Sequence, residues 1–453
     1  VAAGPRRAPA GDADRPGERS EGAVIAPRHD RPAVVAIDMG YGHLRAAHAL
    51  AEALDVEVLQ VDRAPLAGPQ EQELWARSRR FYEAVSRGSQ LPIVGRPFKA
   101  VLDALTAIPH LYPYRDLSAP DLSIRALRGL IDRGLGDGLV AYLKRTGRPL
   151  LTTFYAPALI ADHRGLDRVH CVVTDADIHR IWAPIDPARS RIRYLVPSQR
   201  AQRRLRVYGV PEAQIAVTGF PLPPGLLGGP DLPVLRERLR ARLVRLDPTG
   251  AFRSLYRDEL RLFLGDVPEG RSGPPLLTFA VGGAGAQASM VELFLPRMRP
   301  AIEAGRLRLA LVAGVRRDVA DYFREQVHRV GIEDQLGHAL QIVAAEPIDA
   351  YFAAFNRVLA ETDILYTKPS ELSFFAALGI PVVCARPVGQ HEKINRRFLL
   401  EAGAGFKQWD PRHTAQWIDE WLLDGTLAAG AWSGFMRLPK TGTYRIVERL
   451  GHP

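Results

Sequence analysis

The chain has 453 residues, 47% of them hydrophobic, and 60 Lys and Arg against 50 Asp and Glu give it a net charge of +10. At roughly 100 to 200 residues per domain, this length predicts two or three domains with sizeable cores, and no apolar run reaches the ~18 residues a membrane span needs. The cations are nearly all Arg, scattered among acids in a chain rich in Ala, Gly and Pro, so nucleic acid is not an expected partner, whereas an anionic membrane surface or a phosphorylated substrate stays compatible.

Residues 1–30 carry Pro, Gly, Ala and charge with little to bury, the composition of a disordered tail. No apolar signal-peptide core is seen, and a cytoplasmic protein is expected, with peripheral attachment to the inner face of the membrane compatible. From Ala33 onward, strand candidates fall at 33–38, 56–61, 149–154, 169–174, 193–197, 214–218, 276–281, 308–313, 340–344, 363–367 and 380–385. Helix-like segments such as 43–54, 198–208, 317–330, 370–378 and 391–402 alternate with them, the pattern of parallel sheets built from βαβ units. A Pro/Gly-rich stretch, "GFPLPPGLLGGPDLP" at 219–233, divides the series. The expected fold is α/β: one doubly wound domain at 31–225, a second at 226–430 facing it across a cleft, and a helical segment at 431–453 returning to the first. Cys171 and Cys384 lie in strand-like runs and read as buried thiols rather than a disulfide or metal pair. Between residues 72 and 115, Arg and Lys mix with Trp75, Phe81, Tyr82, Phe98, Leu111 and Tyr112, which suits either a lipid interface or a packed helical excursion.

Ligands of doubly wound sheets bind beyond the carboxyl ends of the strands, and the unusual residues sit there. In "AIDMGYGHLRAAHAL" a strand passes through Gly40, Tyr41 and Gly42 to His43 at a helix start. In "LLTFAVGGAGAQASM", Gly282, Gly283 and Gly285 allow backbone N–H groups to approach a diphosphate, an ordinary tight turn being the alternative. "GVRRD" places Arg316 after the next strand. In "YTKPSELSFF", Thr367, Lys368, Pro369 and Ser370 open a helix that can hold phosphate or sugar oxygens, unless Ser370 merely caps it. Gln390, His391, Glu392 and Asn395 cluster before a helix as donors and acceptors for a hydroxyl-rich ligand, or as a solvated helix start. In "CVVTDADIHRIWAP", Asp175 stands at a strand end as a base, an orienting acid or a cap, with Asp177, His179 and Trp182 behind it. Neither cysteine is in a metal-ligand spacing, and no metal site is expected.

In order along the chain, "DMGYGHLRAAHALAEAL", "VVTDADIHRIW", "YGVPEAQIAVTGFPL", "LLTFAVGGAGA", "DILYTKPSELSFFAALGIPVV" and "PVGQHEKINRRFLLEAGAG" resemble the blocks of monogalactosyldiacylglycerol synthases, diacylglycerol glucosyltransferases and the N-acetylglucosaminyltransferase that makes lipid II. These are inverting glycosyltransferases of the two-Rossmann-domain (GT-B, family 28-like) type, and the resemblance covers about residues 33–410. It implies a nucleotide-sugar donor, UDP-linked in the relatives, on the second domain, held by Gly282, Gly283, Gly285, Arg316, Lys368, Pro369, Ser370, Glu371, Gln390, His391, Glu392 and Asn395. It implies a hydroxyl acceptor, lipid-linked in many relatives, on the first domain near Gly40, Tyr41, Gly42, His179 and Trp182. His43 is then the expected base, kept neutral by the positive helix end, and Asp175 its orienting partner or alternative. No metal or cofactor is implied, since helix N-termini and glycine loops neutralise the leaving diphosphate. The relatives carry a ribose-binding Glu where this chain has Phe374, with Glu371 one turn earlier as the substitute, and the Arg-rich stretch 230–272 is longer than theirs. A nucleotide-sugar 2-epimerase and a noncatalytic sugar- or nucleotide-binding protein are the alternatives.

Overall fold

The computed structural model describes residues 31–88, 108–270, 272–283, 285, 287–387 and 389–451. The expected disordered tail at 1–30, with Phe98 and Lys99, lies outside them. Strands β1 (Ala33–Ala36), β2 (Val58–Gln60), β3 (Leu150–Thr152), β4 (Val169–Val172), β5 (Arg193–Val196) and β6 (Ile215–Val217) form one parallel sheet in the order β2-β1-β3-β4-β5-β6. Strands β7 (Leu276–Ala280), β8 (Arg308–Gly314), β9 (Leu340–Ala344), β10 (Ile364–Thr367), β11 (Val382–Cys384) and β12 (Gly405–Lys407) form a second, in the order β12-β11-β10-β7-β8-β9. Each sheet is doubly wound and reverses its strand order once, at β1/β3 and at β7/β10. All eleven expected strands are present. The twelfth, Gly-Phe-Lys, is too short and mixed in character to stand out by pattern.

The strands are apolar because both faces are covered. Successive residues of β1 point to opposite faces: Ala33 and Val35 join a cluster confined to the first sheet's half, whereas Val34 and Ala36 join one that continues through Leu277, Phe279 and Phe294 of the second. The link is the helix Tyr41–Leu54, whose buried residues Tyr41, Leu44, Ala47 and Leu50 belong to that same cluster. The 219–233 crossing is packed too. Phe220 and Leu222 are fully buried, and a Cβ on Gly442 would stand 2.3 Å from the Phe220 carbonyl oxygen, so the helix Gly442–Gly451 lies against the crossing and touches the helix Tyr41–Leu54. In the 72–115 stretch Trp75 and Leu111 face inward and Tyr112 is exposed. Both cysteines are buried and free. No helix of the described residues is long and apolar enough to cross a membrane.

The Arg-rich stretch folds into helices Pro233–Leu246, Ala251–Leu255 and Arg257–Leu264, and part of its charge is internal. Arg242, 1% exposed, donates from Nε to the Thr362 carbonyl and from Nη1 to those of Leu378 and Gly379. Thr362 ends the helix Ile348–Glu361 and Gly379 ends the 3-10 helix Glu371–Leu378, so one guanidinium satisfies orphan carbonyls at two helix C-termini. Burial lowers its pKa to about 10, leaving it charged at neutral pH. Beside it, Arg245 grips the buried Asp363 through Nε and Nη2, and Asp363 accepts the N–H of Leu276 at the start of β7. Arg242→Leu should therefore cost about 2–4 kcal/mol in urea unfolding, because it strands buried carbonyls, while Arg261→Ala on the surface should stay within about 0.5 kcal/mol of the parent.

Candidate active site between the two sheets

The two order reversals define where a ligand can enter, since loops diverge there at the carboxyl ends of adjacent strands. At the first, the turn after β1 delivers His43 beside the turn after β3. His43 Nδ1 lies 2.7 Å from the Thr153 carbonyl oxygen and 3.1 Å from Thr174 Oγ1, and Thr153 Oγ1 donates back to the His43 carbonyl. A carbonyl only accepts, so Nδ1 carries the proton and Nε2 is left with the lone pair. Phe154 packs edge-on against the ring at 4.9 Å between centroids, with Trp182 beyond at 6.2 Å. Burial lowers the His43 pKa, against the opposing pull of Asp175 and Glu371. The ring is therefore neutral chiefly because it is enclosed by Phe154, Thr153 and Thr174; His43 is the third residue of its helix, and the helix end is not the main cause.

At the second reversal, Gly282 after β7 meets Lys368 after β10: a Cβ on Gly282 would stand 2.7 Å from Lys368 Cε. Lys368 Nζ donates to Glu392 Oε1 at 2.8 Å, and Glu392 is almost fully buried. His391 sits at the rim, with Nε2 4.0 Å from the same oxygen, while Gln390 is exposed. Pro369 is buried, and Ser370 precedes the 3-10 helix without a side-chain capping bond, so the capping alternative does not describe it. Arg316 pairs with Asp318 and stands near Gly285, where a Cβ would lie 3.7 Å from Arg316 Cζ.

The two reversals face each other. Glu371 approaches Gly42, where a Cβ would lie 3.4 Å from Glu371 Cβ, and forms an ion pair with Arg45, Oε1 standing 3.6 Å from Nε without a hydrogen bond between them. Asn395 reaches the loop after β4, accepting the Ala176 N–H at 3.2 Å and donating to Asp175 Oδ1 at 3.4 Å. Tyr41, expected on the acceptor side, crosses to the second sheet. Its hydroxyl accepts the Val315 N–H at 3.2 Å, and the side chain lies against Gly283 and Gly314, where a Cβ would come within 3.3 Å of the ring and 2.6 Å of the hydroxyl, respectively. Gly40 needs glycine for its φ of 118° and has nothing within 4 Å of a Cβ.

His179 and Trp182 line the first-sheet side with Tyr155, at 6.1 and 5.4 Å between ring centroids. Trp182 is 2% exposed and is a wall of the His43 enclosure more than a surface. Asp177 is structural: fully buried, it takes Arg204 Nε and Nη2, Arg200 Nε and the Ile178 N–H. Sequence reasoning missed Arg45, because a cation in an Ala-rich helix reads as solvated, and missed Thr153 and Thr174, because a threonine closing an apolar strand reads as part of the strand. Phe374 stacks on Phe220 at 4.7 Å and 6° and packs against Phe398. Among the described residues no three His, Cys, Asp or Glu side chains come together as a metal-binding group.

Residues 271–446 match the model of a domain of unknown function (DUF6938), and no curated protein matches the chain. Among solved structures, the chain is similar to a Listeria monocytogenes putative UDP-N-acetylglucosamine 2-epimerase, at 12% identity and a TM-score of 0.48, covering 93% of this chain and 96% of that one. The Staphylococcus aureus MnaA–UDP structure gives 13% identity, TM-score 0.47 and coverage of 92% and 95%. Acinetobacter baumannii MurG gives 14% identity, TM-score 0.47 and coverage of 93% and 99%.

His179 gives the site a measurable pH signature. Burial lowers its pKa from 6.5 to about 4, with Asp175 and Asp121 only partly opposing, and its Nδ1 is buried with no hydrogen-bond partner among the described residues. The unfolded chain takes up the proton near pH 6.5 and the folded one near 4, so stability present above 6.5 is lost as the pH falls through that window. Urea unfolding at pH 7 and pH 5 should show His179→Phe losing about 1–2 kcal/mol less than the parent over that interval.

Proposed function

We propose that the protein is an inverting glycosyltransferase that takes a sugar from a nucleotide diphosphate, UDP by the resemblance of its motifs, and passes it to an acceptor hydroxyl without a bound metal. The observation that carries this reading is the opposition of the two switch points: a neutral histidine with a free lone pair on one side, and a glycine turn backed by a lysine on the other.

His43 suits the base. Nδ1 is tied to the Thr153 carbonyl, which fixes the ring plane and the tautomer and leaves Nε2 to take the acceptor proton. Asp175 is near enough to be felt by the imidazole and would stabilise the imidazolium once formed. Inversion requires the acceptor oxygen to enter opposite the leaving diphosphate, and the first and second loop sets stand on those two sides. On the donor side, Gly282 and Gly283 let the backbone approach the diphosphate, and Lys368 supplies positive charge where negative charge builds as the glycosidic bond breaks. Lys368 is held by Glu392 at 2.8 Å, so its ammonium is positioned in advance. The acceptor would lie along His179, Trp182 and Tyr155. A lipid-linked acceptor belongs to the proposal through the family resemblance, and contact with an anionic membrane surface through the net charge and the basic-aromatic composition of residues 72–115.

Thermal unfolding with UDP, UDP-glucose and UDP-N-acetylglucosamine checks the donor side: at least one should stabilise the protein, and Lys368→Gln should weaken its binding by about tenfold or more. His43→Ala should keep that binding and lose about 10²- to 10⁴-fold in transfer. The acid limb of the rate profile should fall below the ordinary histidine range, since protonation of the buried ring ends catalysis. Conversion of a UDP-sugar to its epimer with no acceptor present would replace the transferase reading by the epimerase one, and binding without any turnover would replace it by the noncatalytic one.

A further inference from the structure

We infer that Asn395 is a positioning residue that ties the loop carrying Lys368 and Pro369 to Asp175 across the cleft, rather than a contact for the sugar. The inference rests on the reading of His43 and Asp175 as the base and its partner. Asn395 is fully buried, in the helix Gln390–Glu401. Its orientation is set by one unambiguous neighbour: the Ala176 N–H can only donate, so the atom 3.2 Å away is the amide oxygen. The amide nitrogen then faces Asp175 Oδ1 at 3.4 Å and the Pro369 carbonyl at 3.5 Å. The amide of Asn395 is thus engaged by protein groups at both its oxygen and its nitrogen.

Three residues earlier on the same helix face, Glu392 holds Lys368 Nζ. One helix face thus grips Lys368 and Pro369, neighbours in the chain, and extends to Asp175 and Ala176 on the other sheet. A diphosphate seated at Gly282 competes with Glu392 for the Lys368 ammonium, and any shift of that loop moves the Pro369 carbonyl that Asn395 shares with Asp175. Asp175 in turn acts on His43, where it opposes the lowering of the pKa by burial, as the Thr153 carbonyl and Glu371 also do. Donor seating on one sheet is thereby coupled to the base on the other through a single side chain.

The test is a histidine-ring NMR titration of His43 in the parent protein, Asn395→Ala, Asp175→Asn and the double variant, with UDP affinity and UDP release from UDP-N-acetylglucosamine measured in parallel. Freeing Asp175 should move the His43 midpoint by about 0.5 pH in Asn395→Ala and leave it unmoved in the Asp175→Asn background. Turnover should fall at least tenfold in Asn395→Ala with UDP affinity and the donor KM within about twofold of the parent. An equal shift in both backgrounds, or none in either, overturns the inference, as does a loss confined to donor KM, which would make Asn395 a sugar contact. A coupled His43 titration in a protein that releases no UDP would keep Asn395 as the link and remove the transferase reading instead.

Discussion

The arrangement of both halves of the cleft depends on one buried cation. Arg45 comes from the helix after β1, is 2% exposed, and enters a cage of rings on the other sheet's helices: its guanidinium carbon stands 4.6 Å from the Phe352 centroid, 4.8 Å from Phe355, and 5.7 Å from Tyr351 and from Phe375. Glu371 supplies the countercharge at 3.6 Å, and Nη2 donates to the Tyr351 hydroxyl at 3.4 Å. Removing a charge from water is expensive, and a contact at 3.6 Å does not by itself offset it. The ring faces supply much of what the carboxylate does not, since each presents negative potential to the cation. The result is specific in direction: an aliphatic side chain would fill the cage without orienting the helix that bears it.

That orientation matters because His43 and Tyr41 precede Arg45 on the same first turns. Once Arg45 is caged, His43 is held against Thr153 and Thr174, and Tyr41 is carried into the slot between Gly283 and Gly314. The slot is glycine on both sides because Tyr41 fills it: a Cβ at Gly314 would overlap the hydroxyl at 2.6 Å. A ligand group that bonds the Val315 N–H must take the place of the Tyr41 hydroxyl. Tyr41 therefore bears on the second sheet's side of the cleft, although it belongs to the helix that carries His43.

The fold was legible because the strands are buried on both faces and so read as continuous apolar runs, and the loops were legible because glycine, histidine and paired polar residues interrupt them at strand ends. What the sequence could not display is pairing across the cleft. Arg45, Arg204 and Arg242 look alike on a helix surface map, yet one sits in an aromatic cage, one on a buried aspartate and one across two helix ends. Asn395 reads as a ligand contact from its neighbours Gln390 and His391, and only the three-dimensional position of Ala176 shows that its amide is already engaged. The cause assigned to His43 also changed: a helix start is visible in a sequence, whereas the enclosure by Phe154 and two threonines is not.

Glu371 and Phe374 owe their shared face to the kind of helix that bears them. Residues 371–378 form a 3-10 helix, in which side chains three residues apart eclipse one another, so Glu371 and Phe374 lie on one face, a single turn or about 6 Å apart. In an α-helix the same displacement would swing the carboxylate away by about 60°. The acid at 371 and the aromatic at 374 therefore point the same way, the aromatic stacking on Phe220, the residue that leads out of the first sheet. The face is divided between the two tasks: its far end seals the crossing between the sheets, and its near end meets Arg45 and Gly42 at the switch points. The Glu371 carboxylate so placed pairs with Arg45 through Oε1 at 3.6 Å, and its other oxygen would lie 3.7 Å from a Cβ on Gly42, so this end of the face closes directly on the first turn of the helix that carries His43.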